Sequence, residues 1–146
     1  MSAGQPSPRP RIFKRGGKRD KGARVSLNLS EREVQRLLTA IQAAQAAAMP
    51  LTRFVTIHWE RQGVPHGKGG RATSAFMDKA RRAMDKRRLP FAYVWVRENA
   101  GHGGKGDHVH ILCHANPYRG FAQDMRRWIT AISGKPYRKG TLMTKT

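Results

Sequence analysis

The chain has 146 residues, and its 29 Lys and Arg against 9 Asp and Glu give it a formal charge of +20, with an isoelectric point near 11.6. Charge of this size opposes folding by self-repulsion, so it indicates a polyanionic partner, of which nucleic acid is the simplest. A single cysteine excludes an internal disulfide framework, and the lack of a membrane-spanning apolar run or a signal-peptide pattern disfavours a membrane partner and predicts a cytoplasmic protein.

The chain begins with a segment rich in Pro, Gly, Lys and Arg, which cannot bury enough apolar surface to order itself. We therefore predict a disordered basic arm over residues 1–27, which is either solvated or in contact with phosphates. An N-terminal helix is predicted within residues 28–50, because Ser30 and Glu33 form an S-x-x-E capping box ahead of apolar residues at helical spacing. Its narrow apolar stripe is expected to dock on the domain that follows, residues 51–146.

That domain alternates between strand-like and helix-like segments. The first strand, β-branched and aromatic, is expected at the centre of a sheet, and the second, apolar on both sides, in mid-sheet as well. The order β-α-β-β-α-β predicts an α+β fold: a ferredoxin-like, RRM-like antiparallel sheet preceded by the extra helix. The segments are residues 53–59 (strand), 72–88 (helix), 91–98 (strand), 108–114 (strand), 118–132 (helix) and 139–146 (edge strand).

The fourth of these segments carries a His-x-His motif. Residues two apart on a strand point to the same side, so His108 and His110 share a face at roughly 6.6 Å and can converge on one divalent ion. Glu98, at the end of the preceding strand, offers a third ligand if the strand register places it on that face, which the sequence leaves open. Two imidazoles and one carboxylate leave positions for water or substrate, as catalytic metal sites require. The alternative is that the two histidines are polar surface residues that bind no metal. Cys113, on the other side of the same strand, is expected to be a buried small hydrophobe.

Basic residues crowd the glycine-rich loop after the first strand and the helix that follows it. Asp78 and Asp85 are the only acids of that helix, so we favour a phosphate-facing surface over a merely solvated one. The candidate nucleic-acid-binding residues are Arg53, Lys68, Arg71, Lys79, Arg82, Lys86, Arg97 and Lys105.

The strand FVTIHW, the strand that ends in Glu98, and the H-V-H-I-L strand, in this order, resemble the first motifs of HUH endonucleases. They are most similar to those of the rolling-circle replication initiators (Rep proteins) of plasmids and single-stranded DNA phages, over about residues 53–132. The resemblance implies a metal-dependent enzyme that nicks and rejoins single-stranded DNA at an origin or hairpin, alongside host replication proteins. It also implies that His108, His110 and Glu98 hold Mg²⁺ or Mn²⁺, which polarises the scissile phosphate.

The family's nucleophile is a tyrosine on a helix beyond the His pair, typically in Y-x-x-K or Y-x-x-x-K. Tyr118 and Tyr137 follow the pair, and neither has that spacing. Tyr137, which has Lys135 and Lys139 close by in sequence, is the candidate nucleophile, and packing is the alternative role for both tyrosines. We therefore expect the chain to be an N-terminal piece of a longer enzyme.

Two other functions fit the same residues. One is a non-catalytic module that binds single-stranded DNA or RNA through Tyr93, Trp95 and its basic helices. The other is a small basic ribosome- or nucleoid-associated protein, in which the histidines are incidental.

Overall fold

The computed structural model describes residues 29–99, 106–114 and 118–146. The predicted basic arm, most of the glycine-rich loop before the His-x-His motif, and Lys105 within that loop lie outside the described residues. Within these ranges no helix is both long enough and apolar enough to cross a membrane.

In the described part of the chain, three helices and a four-stranded sheet form the fold. The sheet order is β2-β3-β1-β4, and every neighbouring pair is antiparallel. This arrangement confirms the predicted α+β class and is compatible with a ferredoxin-like fold that follows an N-terminal helix. The elements are α1 (Glu31–Ala46), β1 (Arg53–His58), α2 (Gly69–Lys86), β2 (Ala92–Asn99), β3 (Asp107–His114), α3 (Phe121–Ser133) and β4 (Leu142–Lys145).

The first helix begins at the predicted capping box. The Ser30 hydroxyl accepts a hydrogen bond from the Glu33 amide at 3.3 Å, and Glu33 Oε2 accepts one from the Ser30 amide at 2.8 Å. These two bonds satisfy backbone donors that the helix leaves unpaired at its start. The helix lies against β2 through a part of its apolar stripe that includes Leu37, while Val34 and Leu38 stay exposed.

The second strand, β2, lies at the edge of the sheet, so its predicted mid-sheet position is wrong. Its residues from Ala92 to Arg97 are half-buried on both sides, as its composition indicated. The strand is apolar on both sides because both of its faces are partly covered, one of them by α1. Within the described residues, it does not have a neighbouring strand on each side. The predictions for β1 and β4 are confirmed, since β1 is central and β4 is an edge strand.

The core lies between one face of the sheet and the helices α2 and α3. The odd-numbered residues of β1, β2 and β3 project into it, among them Ile57, Val109 and Ile111, each no more than 1% exposed. Cys113 is also buried there, as predicted, and burial raises the pKa of its thiol to about 11, which keeps it protonated and unreactive. The even-numbered residues of these three strands, together with Met143 and Lys145 of β4, project from the opposite face, which carries the His-x-His motif and which we call the His face.

A buried glutamine fixes the last strand beside the first. Gln62 is fully buried, and its Nε2 donates to the carbonyl oxygens of Lys135 and Pro136 at 3.2 and 3.0 Å. Its Oε1 accepts from the Arg138 amide and the Thr141 hydroxyl at 3.0 and 3.1 Å. These bonds tie the segment after α3 to the loop after β1, which sets β4 against the free edge of β1.

Candidate metal centre

The strand register decides which side chains share the His face. Glu98 of β2 lies directly opposite His108 of β3, and Thr56 of β1 lies directly opposite His110. Directly opposed residues in an antiparallel pair project from the same face. Glu98 therefore lies on the same side as both histidines, which the sequence left open.

The three side chains converge on one point. The Nε2 atom of His108 is 2.9 Å from Glu98 Oε2, and the Nε2 atom of His110 is 3.6 Å from Glu98 Oε1. One ligand atom from each of these residues lies within 4.8 Å of the other two. Ligands held about 2.1 Å from a cation at right angles lie about 3 Å apart, so the two separations from Glu98 are compatible with neighbouring positions around a divalent ion.

The hydrogen bonds of His108 determine what its ring presents to Glu98. Its Nδ1 is 2.8 Å from the carbonyl oxygen of Gly106, and because a carbonyl only accepts, Nδ1 must carry the proton. In the neutral ring Nε2 then carries a lone pair, which faces a carboxylate oxygen 2.9 Å away. Two acceptors at this distance repel each other unless the ring takes up a second proton or a cation binds between them.

The ring of His110 is also held by a hydrogen bond at Nδ1, here to a hydroxyl that can either accept or donate. Its Nδ1 lies 3.0 Å from the Thr56 hydroxyl, and the tautomer that donates this bond leaves the Nε2 lone pair toward Glu98. Burial lowers the pKa of His110, partly opposed by the charge of Glu98, which favours the neutral imidazole that a metal requires. With both rings neutral and protonated on Nδ1, the cluster presents two imidazole lone pairs and one carboxylate, the donor set of an open metal site.

The cluster is open to solvent on one side. The Glu98 side chain is 57% exposed and that of His110 is 31% exposed, whereas His108 is 7% exposed. The ring of His58 stacks on that of His108 with centroids 5.2 Å apart and supports it from the neighbouring strand. The rigid, buried side of the cluster thus holds the geometry, and the exposed side admits water or a substrate oxygen.

The role of Thr56 can be tested directly. We expect Thr56→Val to weaken Mn²⁺ binding about tenfold, because the isosteric side chain makes no hydrogen bond to His110 Nδ1 and the ring loses the contact that orients it. Thr56→Ser, which keeps the hydroxyl, should bind Mn²⁺ almost as well as the parent protein. Isothermal titration calorimetry measures both affinities, and equal affinities for the valine and serine variants would show that the hydroxyl does not position the ring.

The predicted phosphate-binding row lies elsewhere. Lys79, Arg82 and Lys86 are exposed on α2, as are Lys68 at its start and Arg71 in its first turn. The buried side of α2 packs on the core face of the sheet, so these side chains point away from the His face. The structure does not bring them to the metal cluster, and any phosphate they bind is not the one at that cluster.

Two further predicted nucleic-acid contacts, Arg53 and Arg97, are odd-numbered and lie on the core side of their strands. Arg97 Nε and Nη2 donate to Asp107 Oδ1 and Oδ2 at 2.9 and 2.7 Å, and this hydrogen bonding raises the pKa of Arg97. Asp107 Oδ2 also accepts from the Gly69 amide at 3.1 Å, where a larger residue would collide with the carboxylate. The guanidinium of Arg97 therefore stabilises the fold through Asp107 and is not free to bind a phosphate. The Nε of Arg53 is buried and has no hydrogen-bond partner among the described residues.

The tyrosines do not reach the cluster. Tyr118 donates to Asp124 Oδ2 at 2.5 Å under the guanidinium of Arg87, and burial together with Asp124 raises its pKa to about 12, which makes it a poor nucleophile. The candidate nucleophile Tyr137 packs against the core, and its hydroxyl accepts from the Leu142 amide at 3.2 Å. Because the core and the His face lie on opposite sides of the sheet, the structure separates Tyr137 from His108 and His110.

The aromatic residues of the alternative binding function are also on the core side. Tyr93 and Trp95 lie directly opposite Cys113 and Ile111 and pack, partly buried, against the core, so they do not share the His face, and their base-stacking role stays a prediction. The aromatic residue that the His face does carry is Phe54, which sequence analysis missed together with Thr56. Both alternate with His58 along β1, and this alternation becomes informative once β1 is placed beside β3.

No protein-family model, no curated protein and no solved structure matches this chain.

Proposed function

We propose that this protein is a divalent-metal-dependent endonuclease that acts on single-stranded DNA, as the resemblance to rolling-circle replication initiators implies. The observation that carries the proposal is the pair of imidazole Nε2 atoms directed at one exposed carboxylate, with a hydrogen bond to Nδ1 of each ring. With both rings neutral and protonated on Nδ1, this arrangement is costly without a cation and favourable with one. The +20 charge supplies the attraction to a polyanion.

His108 and His110 would hold the cation by nitrogen, and Glu98 by oxygen. When bound, Mg²⁺ or Mn²⁺ would supply positive charge that stabilises the charge developing on a scissile phosphate. Glu98 offsets part of that charge, and its exposed side leaves room for phosphate oxygens. Because two of the three donors are nitrogen, we favour Mn²⁺ over Mg²⁺, which prefers oxygen ligands.

The nucleophile follows from the placement of the tyrosines. The chain has three, Tyr93, Tyr118 and Tyr137, and all three pack against the core cluster on the helix-covered side. With the residues of this sequence, we propose that water attacks the phosphorus, which gives hydrolysis. A covalent DNA adduct and rejoining of the strand would require a tyrosine from outside this sequence.

The proposal is tested with a 5′-labelled single-stranded oligonucleotide, Mn²⁺ and a denaturing gel. We expect shortened products without a protein–DNA adduct, no products in EDTA, and none from His108→Ala/His110→Ala. His114→Ala is the matched control, since His114 lies on the same strand and donates from Nδ1 to the Pro50 carbonyl at 2.9 Å. Intact oligonucleotide at every divalent ion tested, or equal cleavage by the double variant, would rule out the proposed enzyme.

The second candidate function, a single-strand-binding module without catalysis, is favoured by a different observation. The exposed basic row of α2 and the exposed ring of Phe54 offer contacts to phosphates and bases that need no metal. Oligonucleotide binding that is the same in Mn²⁺ and in EDTA, with no cleavage, would support this function over the first.

A further inference from the structure

The His face continues beyond the metal cluster as a second, apolar zone. Along β1 and its neighbours, the row after Thr56 and His110 contains Phe54, which lies opposite Leu112 of β3 and opposite Lys145 of β4. Met143 lies opposite Thr56 on the same face. Successive same-face rows are roughly 6.6 Å apart, about one step of an extended nucleic-acid strand.

Phe54 is an exposed aromatic residue, whereas the next residue of the strand, Val55, is buried in the core. Its ring stacks on His110, with centroids 5.4 Å apart and planes at 22°, yet 39% of the residue remains exposed. Met143 is 51% exposed. An aromatic ring held against a histidine of the candidate metal cluster, near an exposed thioether, is an apolar platform directly next to a charged site.

We propose that Phe54, with Met143 and Lys145, forms a subsite for one unpaired nucleobase next to the phosphate at the metal cluster. The base stacks on Phe54, Met143 packs at its edge, and the ammonium group of Lys145 pairs with the adjoining phosphate. The position of that phosphate rests on the proposed function, while the stacking contact does not require the metal.

Charge and shape favour this occupant over others. The net charge of +20 favours a polyanion, and Lys145 places a cation in the same row as the exposed ring. A base in a duplex has its faces covered by neighbouring bases, so only an unpaired, unstacked base can lie flat on Phe54. The subsite would therefore select single strands over duplex without reading a particular sequence.

The test uses fluorescence anisotropy in EDTA, with labelled oligo-dT of 15 nucleotides and an abasic oligonucleotide of the same length. We expect Phe54→Leu to weaken oligo-dT binding about tenfold or more and abasic binding less than twofold. Phe54→Trp should bind oligo-dT at least as tightly as the parent protein. Leu38→Ala is the control, because Leu38 is 48% exposed on α1, and both affinities should be unchanged.

Three outcomes would overturn the subsite: unchanged oligo-dT binding by Phe54→Leu, an equal loss for both oligonucleotides, or a change in sedimentation coefficient without a change in affinity. The last would identify the patch as a contact between two copies of the chain. Because the assay contains EDTA, its result is independent of cleavage. Base-dependent loss without any nuclease activity would support the subsite and reject the enzyme, and cleavage with unchanged base binding would do the opposite.

Discussion

His108→Ala/His110→Ala should weaken Mn²⁺ binding by at least about a hundredfold, the largest functional effect we expect from any pair of substitutions in the chain. The two alanines remove both nitrogen donors and leave Glu98, 57% exposed, as a single surface carboxylate. One such group has little affinity for a divalent ion at millimolar concentrations. Isothermal titration calorimetry measures the affinity, and a second measurement follows from linkage, since Mn²⁺ should raise the melting temperature of the parent protein and not that of the double variant.

His114→Ala provides the comparison that makes this result specific. His114 lies on β3 and projects from the same face as His108 and His110, but its Nδ1 donates to the Pro50 carbonyl. Its loss removes an imidazole of the same strand without touching the cluster, so Mn²⁺ affinity should stay within twofold. If the double variant bound Mn²⁺ like the parent, the ion would bind elsewhere in the protein, and the proposed metal centre would be wrong.

The part of this site that could be predicted from sequence is the part set by local geometry. The two-residue period of a strand places His108 and His110 on one face in any extended chain. The order of strands and helices also predicted the fold class, because short connections and a repeated β-α-β pattern allow few arrangements. Glu98 was a candidate for its position at a strand end, and only the pairing of β2 with β3 puts it opposite His108.

What sequence analysis missed depends on partners far apart in the chain. The alternation of side chains along a strand shows which residues share a face, but not which face the helices cover. Tyr93 and Trp95 were therefore expected on a binding surface, and they pack on the core side. The basic residues of α2, such as Lys79, are exposed, as predicted. They lie, however, on the opposite side of the sheet from the metal cluster. Thr56 meets His110 across 54 positions of sequence, and no local pattern encodes that distance.

The pairing of Arg97 with Asp107 was likewise not predicted from the sequence. Substitution of Asp107 is expected to have the largest effect on stability. Asp107→Ala should lower the free energy of unfolding by about 3–5 kcal/mol, because it leaves the Arg97 guanidinium and the Gly69 amide without their acceptor in a site where Asp107 is 1% exposed. Asp107→Asn keeps the shape but not the charge, and should fall between the alanine variant and the parent. Urea unfolding, followed by far-ultraviolet circular dichroism, measures all three.

Asp78→Ala separates burial from charge, since Asp78 also pairs with an arginine. Its carboxylate lies 3.0 Å from Arg81 Nη2, but the two side chains are 55% and 58% exposed, so solvent screens the pair and the expected change is no more than about 0.5 kcal/mol. The contrast between the two variants therefore measures what burial adds to an aspartate–arginine pair. If Asp107→Ala unfolded at the same urea concentration as Asp78→Ala, Arg97 would not depend on Asp107 for its place in the fold. Its guanidinium would then again be a candidate for contact with a phosphate.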